Sequence, residues 1–169
     1  HQVSYQQAFS HSTQLFRVHA LDYRAPLPWR HVVSISGSYA QVNPTFYEGL
    51  FTQTGKSINA DAKYVIPFRR QRWEGEITGA LGYKQSNNNL EFGGAPALGT
   101  TNDLFTASVG AAAIRQDLRG RWLVSATVTG SPGEVNSRSD ADHFNESRVG
   151  ARPRFAFAQF WLQRSTILT

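Results

Sequence analysis

The chain has 169 residues with 40% hydrophobic and 12% aromatic content, enough apolar material for one domain or a membrane-facing surface, which excludes wholesale disorder. A formal charge of +5 comes from a chain only 17% charged; its densest basic group, Arg69, Arg70 and Arg72, sits beside Pro67 in what reads as a turn, so no continuous nucleic-acid stripe forms. The absence of cysteine excludes disulfides and thiolate chemistry, and no apolar run approaches the roughly 20 residues of a membrane-spanning helix, so any crossing of a bilayer must use strands.

Period-two alternation marks about eight segments, each near the ~9–11 residues of a tilted transmembrane strand. The first runs from Gln2 to Ser10, with Val3, Tyr5 and Phe9 in phase against Gln2, Ser4, Gln6 and Ser10. The second spans Leu15 to Tyr23, with a phase shift expected near Ala20. In the third, Val33, Ile35, Gly37 and Tyr39 share one side and Ser34, Ser36 and Ser38 the other. The fourth sets Ile58, Ala60, Ala62, Tyr64 and Ile66 against Asn59, Asp61 and Lys63. The fifth sets Trp73, Ile77, Leu81 and Tyr83 against Glu74, Glu76, Thr78 and Lys84. The sixth, Leu104 to Ile114, aligns Phe105, Ala107, Val109, Ala111 and Ala113; its alanines also allow a helix, which its glycine and β-branched residues disfavour. The seventh sets Trp122, Val124, Ala126 and Val128 against Ser125, Thr127 and Thr129. The eighth, Phe155 to Arg164, is apolar on both sides and has no clear phase.

The connections alternate in length. Ala25 to Arg30, Pro67 to Arg72 and Asp117 to Arg121 read as short; Asn43 to Lys56, Gln85 to Asp103 and Gly130 to Pro153 read as long. An antiparallel meander puts every second connection at the same end, so one rim carries tight turns and the other extended loops, as in outer-membrane barrels. Each short turn is basic and delivers Trp29, Trp73 or Trp122, three of the four tryptophans. Indoles settle where hydrocarbon meets water, so these three are expected at one membrane interface and Tyr39 and Tyr83 at the other.

The charged side also discriminates. Asp61, Lys63, Glu74, Glu76 and Lys84 share one face, while isoleucine, valine, alanine and aromatic residues share the opposite one. A soluble ligand-binding barrel has the reverse polarity, apolar within and polar without. The expected fold is therefore all-β, an antiparallel up-and-down transmembrane β-barrel meander of about eight strands, with these five residues lining a wet pore or pairing across strands to hold register. Closure would leave no unpaired backbone edge in lipid. The alternatives are a complete small outer-membrane barrel with a structural or adhesive role, and the soluble barrel.

Other motifs are weaker. FTQTGKS, Phe51 to Ser57, is similar to the end of a phosphate-binding loop, but position 50 is leucine where glycine is needed and an alternating strand follows. DADHFNE, Asp140 to Glu146, could offer oxygen ligands to a cation, and reads equally as a solvated loop. His1, His11, His19, His31 and His143 are scattered and no nucleophile-elbow pattern surrounds a serine, so no catalytic residue is assigned. Asn145-Glu146-Ser147 fits a glycosylation sequon without meaning in a bacterial outer-membrane loop.

Three runs in order carry a family resemblance: LDYRAPLPWRHVVSISGSYA from Leu21, GKSINADAKYVIPFRRQRWEGEITGALGYKQSNNNLEF from Gly55, and ARPRFAFAQFWLQRSTIL from Ala151. With Tyr23, Pro26 and Leu27 ending one strand, Gly55 to Ser57 starting another that ends at Tyr64 and Pro67, and the Arg164 to Leu168 tail, the chain resembles the barrel of two-partner secretion transporters, the haemolysin secretion/activation proteins of Gram-negative bacteria. The resemblance implies a porin-like, sixteen-stranded barrel in the bacterial outer membrane that moves an unfolded exoprotein without nucleotide, metal or other cofactor, and that is not an enzyme. It implies outer-membrane lipids and the exoprotein as partners, with no nucleic acid. Family members also carry two periplasmic polypeptide-transport-associated domains, a plug helix and a later arginine-bearing pore loop, so residues 1–169, which begin at His1 without a methionine, are expected to be an excised barrel segment, strands two to nine of the parent.

Overall fold

A computed structural model describes residues 1–10, 16–43, 45–46, 51–92, 95–147 and 149–166. Its strands are β1 (Gln2–Phe9), β2 (Phe16–Pro26), β3 (Val32–Val42), β4 (Thr45–Phe46), β5 (Phe51–Arg70), β6 (Trp73–Phe92), β7 (Ala95–Asp117), β8 (Gly120–Ser131) and β9 (Phe155–Thr166), with one helix, α1 (Ala141–Ser147), between β8 and β9. Eight of the strands form one antiparallel meander in the order β1-β2-β3-β5-β6-β7-β8-β9, and the short β4 pairs with β5. Within that meander each strand lies beside the next one in chain order, the arrangement short antiparallel connections favour. β1 and β9 are the two edges, and they do not pair with each other among the described residues.

Directly paired residues share a face, so the register divides the whole sheet in two. Tyr5, Leu21, Gly37, Ala60, Tyr83 and Phe105 form one continuous row, and Val33, Tyr64, Gly79, Val109, Val128 and Ala158 another. The reverse face carries Asp22, Ser36, Asp61, Gly82 and Thr106 in a single row. The alternation of β1, β3, β5, β6, β7 and β8 is thus in phase across the sheet. β2 runs in unbroken register from Phe16 to Pro26, so the phase shift expected near Ala20 is a change of face: Phe16 and Val18 lie on the face of Asp22, and Leu21 and Tyr23 on the opposite one; Leu15 lies outside the described residues.

The expected lengths hold for β2, β3, β8 and β9 but not for the centre, where β5, β6 and β7 have 20, 20 and 23 residues. Of the three stretches read as long connections, Gly130 to Pro153 remains one, with α1 inside it, whereas the other two are largely strand. Gln85–Phe92 pairs with Ala95–Asp103, with one register shift between Leu90 and Glu91, and Phe51–Lys56 already belongs to β5. Polar side chains sustain this extension: Asn87 Nδ2 donates to Thr101 Oγ1 at 2.6 Å and Gln85 Nε2 to Asp103 Oδ1 at 3.0 Å. At ~3.3 Å per residue, a 20-residue strand reaches ~66 Å, beyond its shorter neighbours.

The opposite end is tight. β5 and β6 join through Gln71-Arg72, and β7 and β8 through Leu118-Arg119. Arg69, Arg70 and Pro67 are therefore strand residues, not turn residues. The proline is tolerated because pairing of β5 with β3 ends at Val65, so one flank of Pro67 has no ladder to interrupt. Between β2 and β3 the Arg30 N–H donates to Leu27 O at 3.0 Å and the Leu27 N–H to His31 O at 2.8 Å. That is a three-residue hairpin loop with Pro28 at its favoured corner and Arg30 in the left-handed region at φ 66°.

Candidate functional site

The sheet has almost no interior. Among the described residues only Ala25 and Val65 are buried hydrophobics, while Leu81 and Val109 are each 66% exposed and Phe160 is 69% exposed. Large exposed side chains on β1, β2, β3, β5, β6, β7, β8 and β9 join into one apolar face. Its middle holds a groove of about 460 Å³ bounded by Ile35, Tyr64, Leu81 and Val109, over Gly79. A contiguous apolar surface of this extent marks an interaction or membrane surface.

The five charged residues singled out in the sequence lie together on the reverse face of β5 and β6, with Lys63 between Asp61 and Glu76. Lys63 Nζ stands 3.9 Å from Glu76 Oε1 and Arg69 Nη2 2.9 Å from Glu74 Oε1, both cross-strand and well exposed. Each pair contributes only ~0.2–1 kcal/mol. Asp61 and Lys84 form no ion pair among the described residues. Hydroxyls and amides surround them, with Asn59 Nδ2 donating to Ser38 Oγ at 3.0 Å. A hollow of about 210 Å³ opens between β1 and β5, lined by Ser4, Gln6, Asp22, Ser36, Ser38 and Asp61. β9 breaks the pattern: Phe155, Phe157 and Trp161 share the polar face with Gln159 and Gln163.

Trp29, Trp73 and Trp122 all lie at the short-turn end of the sheet. Trp73 and Trp122 flank Arg115 on either side in one row of the apolar face. Trp29, in the β2–β3 turn, donates from Nε1 to the Tyr64 hydroxyl at 3.0 Å, and His31 Nδ1 lies 2.6 Å from the same oxygen. Tyr39 and Tyr83 lie toward the other end of the apolar face. Tyr39 is near the end of β3 and its hydroxyl donates to Gln41 Oε1 at 2.7 Å. Tyr83 is mid-strand, because β6 continues to Phe92, and it packs on Phe105 with ring centroids 4.9 Å apart.

Several functional-looking groups were missed in the sequence. Asp103, fully buried, accepts from Gln85 Nε2, Asn136 Nδ2 at 2.8 Å and Arg138 Nε at 3.2 Å, while its N–H donates to Arg138 O at 3.0 Å. These bonds tie the segment after β8 to the edge of β7, beyond the point where β8 pairing stops at Gly130. Burial pushes the Asp103 carboxyl up, but the bonds from Gln85 and Asn136 and the Arg138 charge outweigh it and hold it below the usual carboxylate value. Two further histidines bridge to tyrosines on the apolar face: His1 to Tyr23 at 2.8 Å and His19 to Tyr5 at 2.7 Å. Histidine–tyrosine spacing in one strand gives no hint of pairs made diagonally between two.

The weaker motifs take ordinary structure. Gly55, Lys56 and Ser57 are extended strand paired to Val42, Gln41 and Ala40, which is not the strand–loop–helix of a phosphate cradle. The DADHFNE segment, expected as a loop, is α1 with Asp140 as its cap: Asp140 Oδ1 accepts from the His143 backbone N–H at 2.9 Å and lies 2.8 Å from His143 Nδ1. Bonds from the His143 backbone and ring lower the Asp140 carboxyl from its ordinary value. Among the described residues no group of acidic residues and histidines is arranged to hold a metal. Compared with known family models, curated proteins and solved structures, the chain matches none.

Proposed function

We propose that the chain is a run of strands in the wall of an outer-membrane β-barrel, a pore segment of the two-partner secretion kind through which an unfolded exoprotein crosses the bacterial outer membrane. The observation that carries the membrane reading is the uncovered apolar face, continuous over eight strands and backed, except on β9, mainly by hydroxyls, amides and charges. Lipid is the solvent that face requires, and water the one its reverse requires. The rim asymmetry supports the orientation, with tight arginine-bearing turns at one end and the β6–β7 hairpin and α1 segment at the other. The secretion step rests on the resemblance. Tyr23 and Pro26 lie at the end of β2 with Leu27 just past it, Tyr64 and Pro67 lie toward the short-turn end of β5, and Arg164 lies near the end of β9; Ile167 to Thr169 lie outside the described residues.

The chemistry of the polar face suits passage and not capture. A threading backbone exchanges water for Ser36, Ser38, Asn59 and Thr78 and meets Lys63 with the Glu76 carboxylate 3.9 Å away. The edges β1 and β9 need partners in lipid, since unpaired N–H and C=O groups there are costly; further strands of a larger barrel supply them.

Ala60 and Asn59 are adjacent in β5 and face opposite ways. In the full-length protein folded into bilayers, Ala60→Lys should cost about 2–4 kcal/mol by denaturant titration and Asn59→Lys far less. Equal costs at the two positions would contradict the assigned faces.

A further inference from the structure

At the short-turn end of the apolar face, guanidinium and indole alternate across five adjacent strands. Arg70 pairs with Trp73, Trp73 with Arg115, Arg115 with Trp122, and Trp122 with Arg164. The Arg115 guanidinium carbon sits 5.8 Å from the Trp73 ring centre and the Arg164 carbon 4.5 Å from the Trp122 ring centre. Asp117 is the one carboxylate that approaches the row among the described residues, 3.8 Å from Arg164 Nη1. Arg164 Nε donates to Thr166 Oγ1 at 3.1 Å, whereas the buried Nε of Arg115 has no hydrogen-bond partner. Three cations thus stand at the short-turn end in line with Ala113, Val124 and Leu162 of the apolar face.

An indole beside a guanidinium covers its planar face and leaves the N–H fork directed outward, the geometry that matches a phosphate. With strands about 4.8 Å apart, guanidinium groups on alternate strands recur about every 10 Å, which leaves room for one headgroup at each. We propose that the row Arg70–Trp73–Arg115–Trp122–Arg164 is a docking strip for anionic phospholipid headgroups in the leaflet at the short-turn rim, with Arg115 the central phosphate anchor. This rests on the membrane reading: the row lies where the apolar face ends, so its indoles sit at the hydrocarbon boundary and its guanidinium groups at the phosphate plane.

The test uses the full-length protein reconstituted in nanodiscs of phosphatidylcholine with a minor share of phosphatidylglycerol, then released for native mass spectrometry. Phosphatidylglycerol should be retained over phosphatidylcholine, and Arg115→Gln with Arg164→Gln should cut the retained anionic lipid at least fivefold. Arg115→Lys should restore part of it, since it keeps the charge and loses the fork. Arg121→Gln removes a guanidinium from β8, between Arg115 and Arg164 and at the same rim but on the polar face, and should leave retention unchanged. Millimolar inorganic phosphate should not displace the lipid. Equal retention by wild type and the Arg115/Arg164 double variant, an equal loss with Arg121→Gln, or displacement by free phosphate would overturn the strip while leaving the barrel reading intact. Failure of the wild-type protein to enter the bilayer would overturn both.

Discussion

Arg30 shows how a single residue carries the cost of a tight turn. The β2–β3 hairpin needs a left-handed residue after Trp29, and an arginine occupies it at φ 66°. An L side chain there costs roughly 1–2 kcal/mol, which glycine avoids at some expense in chain entropy. Arg30→Gly is expected to leave stability unchanged or raise it by up to about 1 kcal/mol, read as the denaturation midpoint of the folded protein. A loss of more than that would show that the Arg30 side chain makes a contact outweighing the backbone strain. Trp29, the preceding residue, behaves differently: its indole N–H is bonded to Tyr64, so its position is held by the β5 strand as well as by the turn.

At the scale of elements, the joint between the post-β8 segment and β7 is set by Asp103. Asp103→Asn removes the charge that Arg138 and Asn136 converge on and leaves a buried site short of an acceptor, a loss of about 1–3 kcal/mol. Residues 132–140 should then exchange backbone hydrogens faster while β5 and β6 do not change. Because the Asp103 carboxyl is held below its ordinary value, its stabilisation is complete above about pH 4 and is lost as pH falls through the lowered folded value. The segment should therefore stay closed at pH 5 and open only in stronger acid. Opening at pH 5 to 6 would point to a different group.

Which elements were legible in the sequence follows from what each face of a strand meets. β5 and β6 alternate strictly from Ile58 to Lys63 and Trp73 to Ile77 because one side is apolar throughout and the other polar. Ser86 to Asn89 and Thr100 to Asn102 pair just as regularly but are polar on both sides, so their alternation vanishes and they read as a loop. β9 fails in the opposite sense, with Phe157 and Trp161 on one face and Phe160 and Leu162 on the other. The charged strip and the tryptophans were visible because they follow the alternation. Arg115 and Arg164 follow it too, in phase with Ala113 and Leu162, and a cation in phase with an apolar face was the available signal. Asp103 was not legible, since the partners that bury it come from residues 136 and 138.

As a whole, the molecule has a backbone ladder but almost no core, so burial within the chain cannot be its main source of stability. The apolar face must be covered from outside, and in the proposed barrel bilayer hydrocarbon covers it. Residues 1–169 contain no cysteine, so a single substitution within them adds the one thiol of this stretch, and any cysteine elsewhere in the full-length protein is replaced first. The most direct measurement is labelling of Ile58→Cys, Asn59→Cys, Ala60→Cys, Asp61→Cys, Ala62→Cys and Lys63→Cys in the full-length protein in lipid vesicles, with a membrane-impermeant maleimide and a bilayer-confined probe. A lipid-facing apolar side requires strict alternation: maleimide modifies positions 59, 61 and 63, and the lipid probe 58, 60 and 62. Uniform aqueous labelling of all six, or alternation in the reverse phase, would contradict it.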